Sequence, residues 1–182
     1  MCDFDQIEVD DIFENKPSSK KKINGKKKGN RVELELCKKL TDYFGETFSR
    51  SVGSGNRWGQ VQNMPVHAKQ TLTGDICVPE DFKWVIEVKG GYDNDVDFSS
   101  VMEDGCSRIN SFIEQSSHDA EISNRLPIIL WKRSRKPWIA ILRKKDCKLN
   151  FNFFMIYQKW IIVSLDQLFK KTNKDFWFHE DS

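Results

Sequence analysis

Long apolar runs are missing from this chain. No stretch approaches the roughly 20 residues that a membrane-spanning helix requires, so the sequence offers no such helix. Cysteine is scarce and scattered. Cys2, Cys37, Cys77, Cys106 and Cys147 are odd in number, and no CxxC pair occurs among them. This excludes a recognisable disulfide framework and points to free thiols in a reducing, cytoplasmic compartment. Histidine is scarcer still, and His67, His118 and His179 lie far apart, so zinc spacing is absent as well. The first residues are acidic and polar, which does not fit a secretory leader. Neither a GxxxxGK[ST] loop nor a GxGxxG turn is present, and no nucleotide cofactor is expected.

The formal net charge is only +2, but it is poorly mixed. Asp3, Asp5, Glu8, Asp10, Asp11 and Glu14 precede the first base. Lys16, Lys20, Lys21, Lys22, Lys26, Lys27, Lys28 and Arg31 then follow. A second basic region contains Lys132, Arg133, Arg135, Lys136, Arg143, Lys144, Lys145 and Lys148. Two such patches can neutralise phosphates along a nucleic-acid backbone, while a single one serves equally as a solubilising surface. Residues 1–27 read as a flexible arm, acidic then basic. Residues 28–182 read as one domain, long enough for a real core.

The periodicity predicts a helix over Asn30–Phe44, with Val32, Leu36 and Leu40 as its apolar stripe and Gly45 as its stop. Glu33 lies beside that stripe. A strand is expected over Glu46–Val52, then a polar loop, Gly53 to Gly59, carrying Ser54, Arg57 and Trp58. Arg57 suits a phosphate, and Trp58 suits stacking on a base. Further strands are expected at Ile76–Val78, Trp84–Lys89, Pro127–Trp131 and Trp138–Leu142. A last hairpin is expected from Phe151–Ile156 and Trp160–Val163. Helices are expected over Phe98–Ser116 and Leu165–Lys171, the latter capped by Ser164. This order predicts an α/β fold, a central mixed β-sheet flanked by helices.

The densest chemistry lies in Asp75 and in Glu87-Val88-Lys89. On a strand, Glu87 and Lys89 share one face. A turn at Pro79-Glu80-Asp81 would fold the Asp75 segment back as a hairpin, setting two carboxylates beside an amine. Two close oxygen ligands suit a hard divalent cation such as Mg2+. Alternating charge also marks an ordinary solvated sheet face. The strongly apolar Val85, Ile86 and Val88 suggest a central strand, where charges need a partner or a metal.

Lys28-Gly29-Asn30-Arg31-Val32-Glu33-Leu34-Glu35-Leu36 resembles the opening of archaeal Holliday-junction resolvases, and Ser49-Arg50-Ser51-Val52-Gly53-Ser54-Gly55 resembles their next element. Gly74-Asp75-Ile76 and Ile86-Glu87-Val88-Lys89 resemble the core of the PD-(D/E)xK nuclease superfamily. The segment from Pro127 to Trp138 is similar to resolvase-like nucleases of tailed bacteriophages. The resemblance spans about residues 28 to 143. Gly74 stands where the superfamily name has proline, the segment from Val52 to Asp75 is long, and the last forty residues form an unmatched strand-helix extension.

The resemblance implies a restriction-endonuclease-like nuclease core. One or two Mg2+ or Mn2+ ions would be held by Asp75, Glu87, the Val88 carbonyl and Glu33, with Lys89 positioning the attacking water. It implies contacts to DNA from Lys28, Arg31, Ser51, Ser54, Arg57, Trp58, Arg133 and Arg135, with Arg108 and Gln115 as lesser candidates. It further implies branched DNA as substrate, a homodimer, and a place in an infected bacterial cell. The alternatives are a less selective or restriction-like DNA endonuclease, or a DNA-binding protein whose acidic cluster is inert.

Overall fold

The computed structural model describes residues 25–51, 65, 72–147, 149–151 and 154–179. The expected loop residues Ser54, Arg57 and Trp58, and most of the N-terminal arm, lie outside these.

Helix α1 runs over Gly25–Phe44, five residues earlier at its start than its apolar pattern indicated. Val32, Leu36 and Leu40 are buried at helical spacing. Gly45 ends it with φ +74°, its amide donating to the Thr41 carbonyl. Two short strands follow, β1 (Ser49–Arg50) and β2 (Ile76–Cys77), paired antiparallel. The strand expected over Glu46–Val52 is therefore much shorter. Its ladder extends only as far as β2 supplies partners.

Five further strands form the main sheet: β3 (Trp84–Gly90), β4 (Leu126–Lys132), β5 (Trp138–Arg143), β6 (Met155–Tyr157) and β7 (Trp160–Ser164), in the order β3-β4-β5-β7-β6. Only β3 and β4 pair in parallel. Their crossover contains α2 (Phe98–Met102) and α3 (Ser107–Ser123), because parallel neighbours need a long return connection. The sequence pattern suggested one helix here. The break falls at Glu103–Cys106, where Asp104 adopts φ 53° and Gly105 follows. Strand β6 starts at Met155 rather than Phe151, and its turn into β7 falls at Gln158-Lys159 as expected.

The alternation of the strands builds two cores. Trp84, Ile86, Val88, Ile128, Leu130, Ala140, Leu142 and Val163 face α1 and the C-terminal helices α4 (Leu165–Lys171) and α5 (Lys174–Trp177). Ile129, Trp131, Ile141 and Trp160 pack with Phe112 of α3 on the other face. The result is a mixed sheet between helical layers, an α/β fold consistent with a restriction-endonuclease-like core. The last forty residues belong to it: Trp177 and Phe178 are buried, and Phe82 bridges to Phe178. Ser164 stands at the start of α4, although its hydroxyl makes no capping bond. Among the described residues, no helix is long and apolar enough to cross a membrane.

Candidate active site

Strand β3 is not central. It is the edge of the main sheet, with its free side turned to β2. This edge makes the site. Asp75 precedes β2 and does not form a hairpin with β3. It is held by single bonds instead: its amide donates to the Ile86 carbonyl at 3.0 Å, and its carbonyl accepts from the Ser51 amide at 2.9 Å. Its carboxylate accepts from the Val88 amide at 2.8 Å. The N–H and C=O of one strand residue leave by the same edge, so the Val88 carbonyl also points to the Asp75 side. Gly74 makes this approach possible. Its φ is +84°, and a Cβ there would stand 2.8 Å from both the Ile86 carbonyl oxygen and the Val85 side chain. Proline, fixed at negative φ, cannot occupy this position.

Glu87 and Lys89 share the face that α3 covers. The Lys89 ammonium lies 2.5 Å from Glu87 and 2.7 Å from the Gln115 side-chain oxygen, and 5.2 Å over the Phe112 ring. Glu87 is only 2% exposed, so its charge must be compensated within the protein. Gln115 is thus a partner of Lys89.

Asp119 is the residue that sequence reasoning missed. It lies one turn after Gln115 on α3, hence on the same helix face. It is 4% exposed, and its carboxyl shares a hydrogen bond with Glu87. The available signal was a buried-face aspartate at i+4 from Gln115, but the expected helix ended at Ser116.

Glu33 approaches from α1 and is engaged by Arg50, with Nε at 2.5 Å, while the same guanidinium reaches Asn30 at 3.0 Å. Burial pushes the Asp75 carboxyl up to about 8, helped by the Glu87 charge and opposed by the Val88 amide and Lys89. Burial also raises Glu87, with Lys89 opposing and Asp119 adding to the rise. Asp119 is raised by burial and then by Asp75. Four carboxylates thus crowd against one ammonium and one guanidinium, leaving two negative charges uncompensated when all are ionised. Hard oxygen donors with that deficit fit a divalent cation. As the side chains stand, no three acidic, histidine or cysteine groups among the described residues encircle an ion.

The expected DNA contacts are dispersed. Lys28 lies in the first turns of α1, and Arg31 is exposed on it. Ser51 is buried, its hydroxyl donating to the Leu72 carbonyl. Arg133 stacks over Trp131 and bonds to the Asp93 carbonyl at 2.7 Å. Arg135 is exposed in the β4–β5 turn with φ 58°. Arg108 pairs with Asp95 at 2.9 Å.

Residues 24–177 match the family described as “Phage putative PDDEXK endonuclease”. The chain belongs to this family. It is also similar to Protein D14 of Escherichia phage T5, with 27% identity over 128 residues, covering 68% of this chain and 74% of that protein. No solved structure matches the chain. Membership of this phage PD-(D/E)xK family supports nuclease activity, and divalent metal ions are general to that superfamily.

Proposed function

We propose that this chain is a divalent-metal-dependent endonuclease that hydrolyses phosphodiester bonds in branched DNA, four-way junctions foremost. The observation that carries the reading is the gathering of Asp75, Glu87, Asp119 and Glu33 about one ammonium and one guanidinium, beside the edge strand of the sheet in a family of phage PD-(D/E)xK proteins. Asp75, Glu87 and the Val88 carbonyl would hold Mg2+ or Mn2+, with Glu33 supporting them. When bound, the ion would lower the pKa of a water and offset charge on the phosphorus. Lys89 steadies the attacking water or the phosphate, and Gln115 keeps its ammonium over the site. Arg50 holds Glu33 from α1.

The reading includes a homodimer, because a symmetric junction needs two cuts related by one axis and a C2 pair supplies them. The test is a cleavage panel on strand-labelled junction, flap and duplex DNA, with Mg2+ and with chelator, beside a mass measurement in solution. Metal-dependent cutting of the junction ahead of duplex is expected. Equal cutting of all three DNAs removes the junction preference and leaves a general endonuclease.

A second reading, binding without cleavage, draws on the Lys89–Glu87 contact, which sets an ammonium where a cation's charge would go. It predicts binding unaffected by metal and no strand scission in the same panel.

A further inference from the structure

A cluster of unpaired cations on the described surface lies away from the carboxylates and away from the β4–β5 turn. Arg143 closes β5 and sits opposite Trp160 in the ladder with β7, its guanidinium 5.7 Å from the ring centroid. The next residues, Lys144 and Lys145, turn into a single 3-10 turn. The Lys144 amide donates to the Lys159 carbonyl at 2.9 Å, which draws the β6–β7 turn alongside. Arg143, Lys144, Lys145 and Lys159, with Trp160 and Ser117 of α3, line an open hollow of about 880 Å3. Among the described residues, none of these four cations has an acidic partner within ion-pair distance. The neighbouring Asp146 lines an adjoining hollow with Lys145, Lys170 and Lys171. Like charges gathered without counter-charge repel one another, and such a cluster is relieved by an external anion.

Its position relative to the carboxylates is fixed by register. Glu87 pairs with Ile129 and Ile129 with Ile141, so these three lie in one row across the sheet. Arg143 is two residues beyond Ile141 on β5, hence on the same face. Two inter-strand spacings and two residues of rise place the Arg143 backbone roughly 12 Å from that of Glu87. With about 3.4 Å of axis per phosphate on each strand, that is about three or four phosphates away.

We propose that the hollow lined by Arg143, Lys144, Lys145 and Lys159 is a second DNA-backbone site, which grips the arm carrying the scissile bond a few nucleotides from the cut. The proposal rests on the nuclease reading above and adds where the substrate lies. Arg143, braced on Trp160, supplies the fixed cation, and the three lysines follow the backbone.

The experiment compares the full chain with a triple variant, Lys144→Gln, Lys145→Gln and Lys159→Gln. Binding to labelled junction and duplex DNA is followed by fluorescence anisotropy in chelator across a salt series. A second triple, Lys38→Gln, Lys83→Gln and Lys174→Gln, removes equal charge from residues that line neither hollow. Lys144→Arg, Lys145→Arg and Lys159→Arg together restore the charge. The expected result is a log affinity against log salt slope shallower by about 2–3 for the first triple, and binding weaker by about tenfold or more at low salt. The arginine version should return to the wild-type slope. An unchanged slope in the folded first triple overturns the site, as does an equal loss in both glutamine triples. If the wild type cuts DNA while the first triple binds like it, only this proposal falls. If the wild type binds no DNA, the nuclease reading falls with it.

Discussion

Asp75 should make the metal-free protein lose stability as the solution becomes more alkaline. Its carboxyl is raised from 3.8 to about 8, by burial first and by Glu87 second. The folded chain therefore holds the Asp75 proton more tightly than the unfolded chain does. That contribution is complete below about pH 4 and is lost as pH rises through about 8. Between pH 6 and pH 8 the unfolded carboxyl is ionised throughout, while the folded one is only now giving up its proton. One pKa unit corresponds to about 1.4 kcal/mol, and with half the protons gone at pH 8 the loss across this window is about 2 kcal/mol. For a chain of this size that is a fall in Tm of roughly 4–8 °C. Asp75→Asn retains an oxygen that can accept from the Val88 amide but cannot titrate. Scanning calorimetry in chelator at pH 6, 7 and 8 should show the wild-type Tm falling and the variant falling less, with Glu87 and Asp119 responsible for the residual slope. A wild-type Tm that is flat or rises with pH refutes the reasoning, and so does an Asp75→Asn slope equal to wild type.

The other predictions follow from the same site. Mg2+ or Mn2+ should raise the wild-type Tm, more at pH 8 than at pH 6, because the ion replaces a proton on the carboxylates; a melting series over metal concentration checks this, and Asp75→Asn should respond weakly. Gly74→Ala should destabilise the fold by about 1–3 kcal/mol, since a Cβ collides with the Ile86 carbonyl in a backbone conformation that suits glycine; denaturant unfolding measures it. Lys89→Ala should lower single-turnover cleavage by more than it lowers junction affinity, and an unchanged rate at saturating protein would reduce Lys89 to a surface charge. Gln at Lys20, Lys21, Lys22, Lys26, Lys27 and Lys28 should weaken binding to every DNA tested and flatten its salt dependence, as a titration over salt would show.

Much of this architecture is legible because it rests on local periodicity. Val32, Leu36 and Leu40 announce α1, and the apolar runs at Trp84–Lys89 and Pro127–Trp131 announce β3 and β4. The strand alternation placing Glu87 and Lys89 on one face needs no tertiary information, and their ion pair follows. Strand order is different in kind. The sequence shows how apolar β3 is, but burial by helices on both faces makes an edge strand as apolar as a central one. The turn expected at Pro79-Glu80-Asp81 forms, with the Phe82 amide donating to the Pro79 carbonyl at 3.1 Å, but β2 does not ladder with β3, for a similar reason. Short strands carry little pairing information, and β2 finds its ladder partner in β1, some 26 residues earlier.

The helix over the site shows where chemistry escapes a linear reading. Gln115 and Asp119 are ordinary polar residues on a helix whose apolar stripe fades after Ile113, and polar residues on such a face ordinarily meet water. Here they meet Glu87 and Lys89, because the parallel β3–β4 crossover lays α3 across the polar row of an edge strand. The two rows answer each other, Lys89 with Gln115 and Glu87 with Asp119. The same crossover buries Glu87 almost completely, and burial rather than sequence spacing is what turns a common acidic residue into one with an altered proton affinity. A carboxylate cluster held this far from water keeps its protons to higher pH than solvated carboxyls do, which is how the fold limits its own charge when no cation is present.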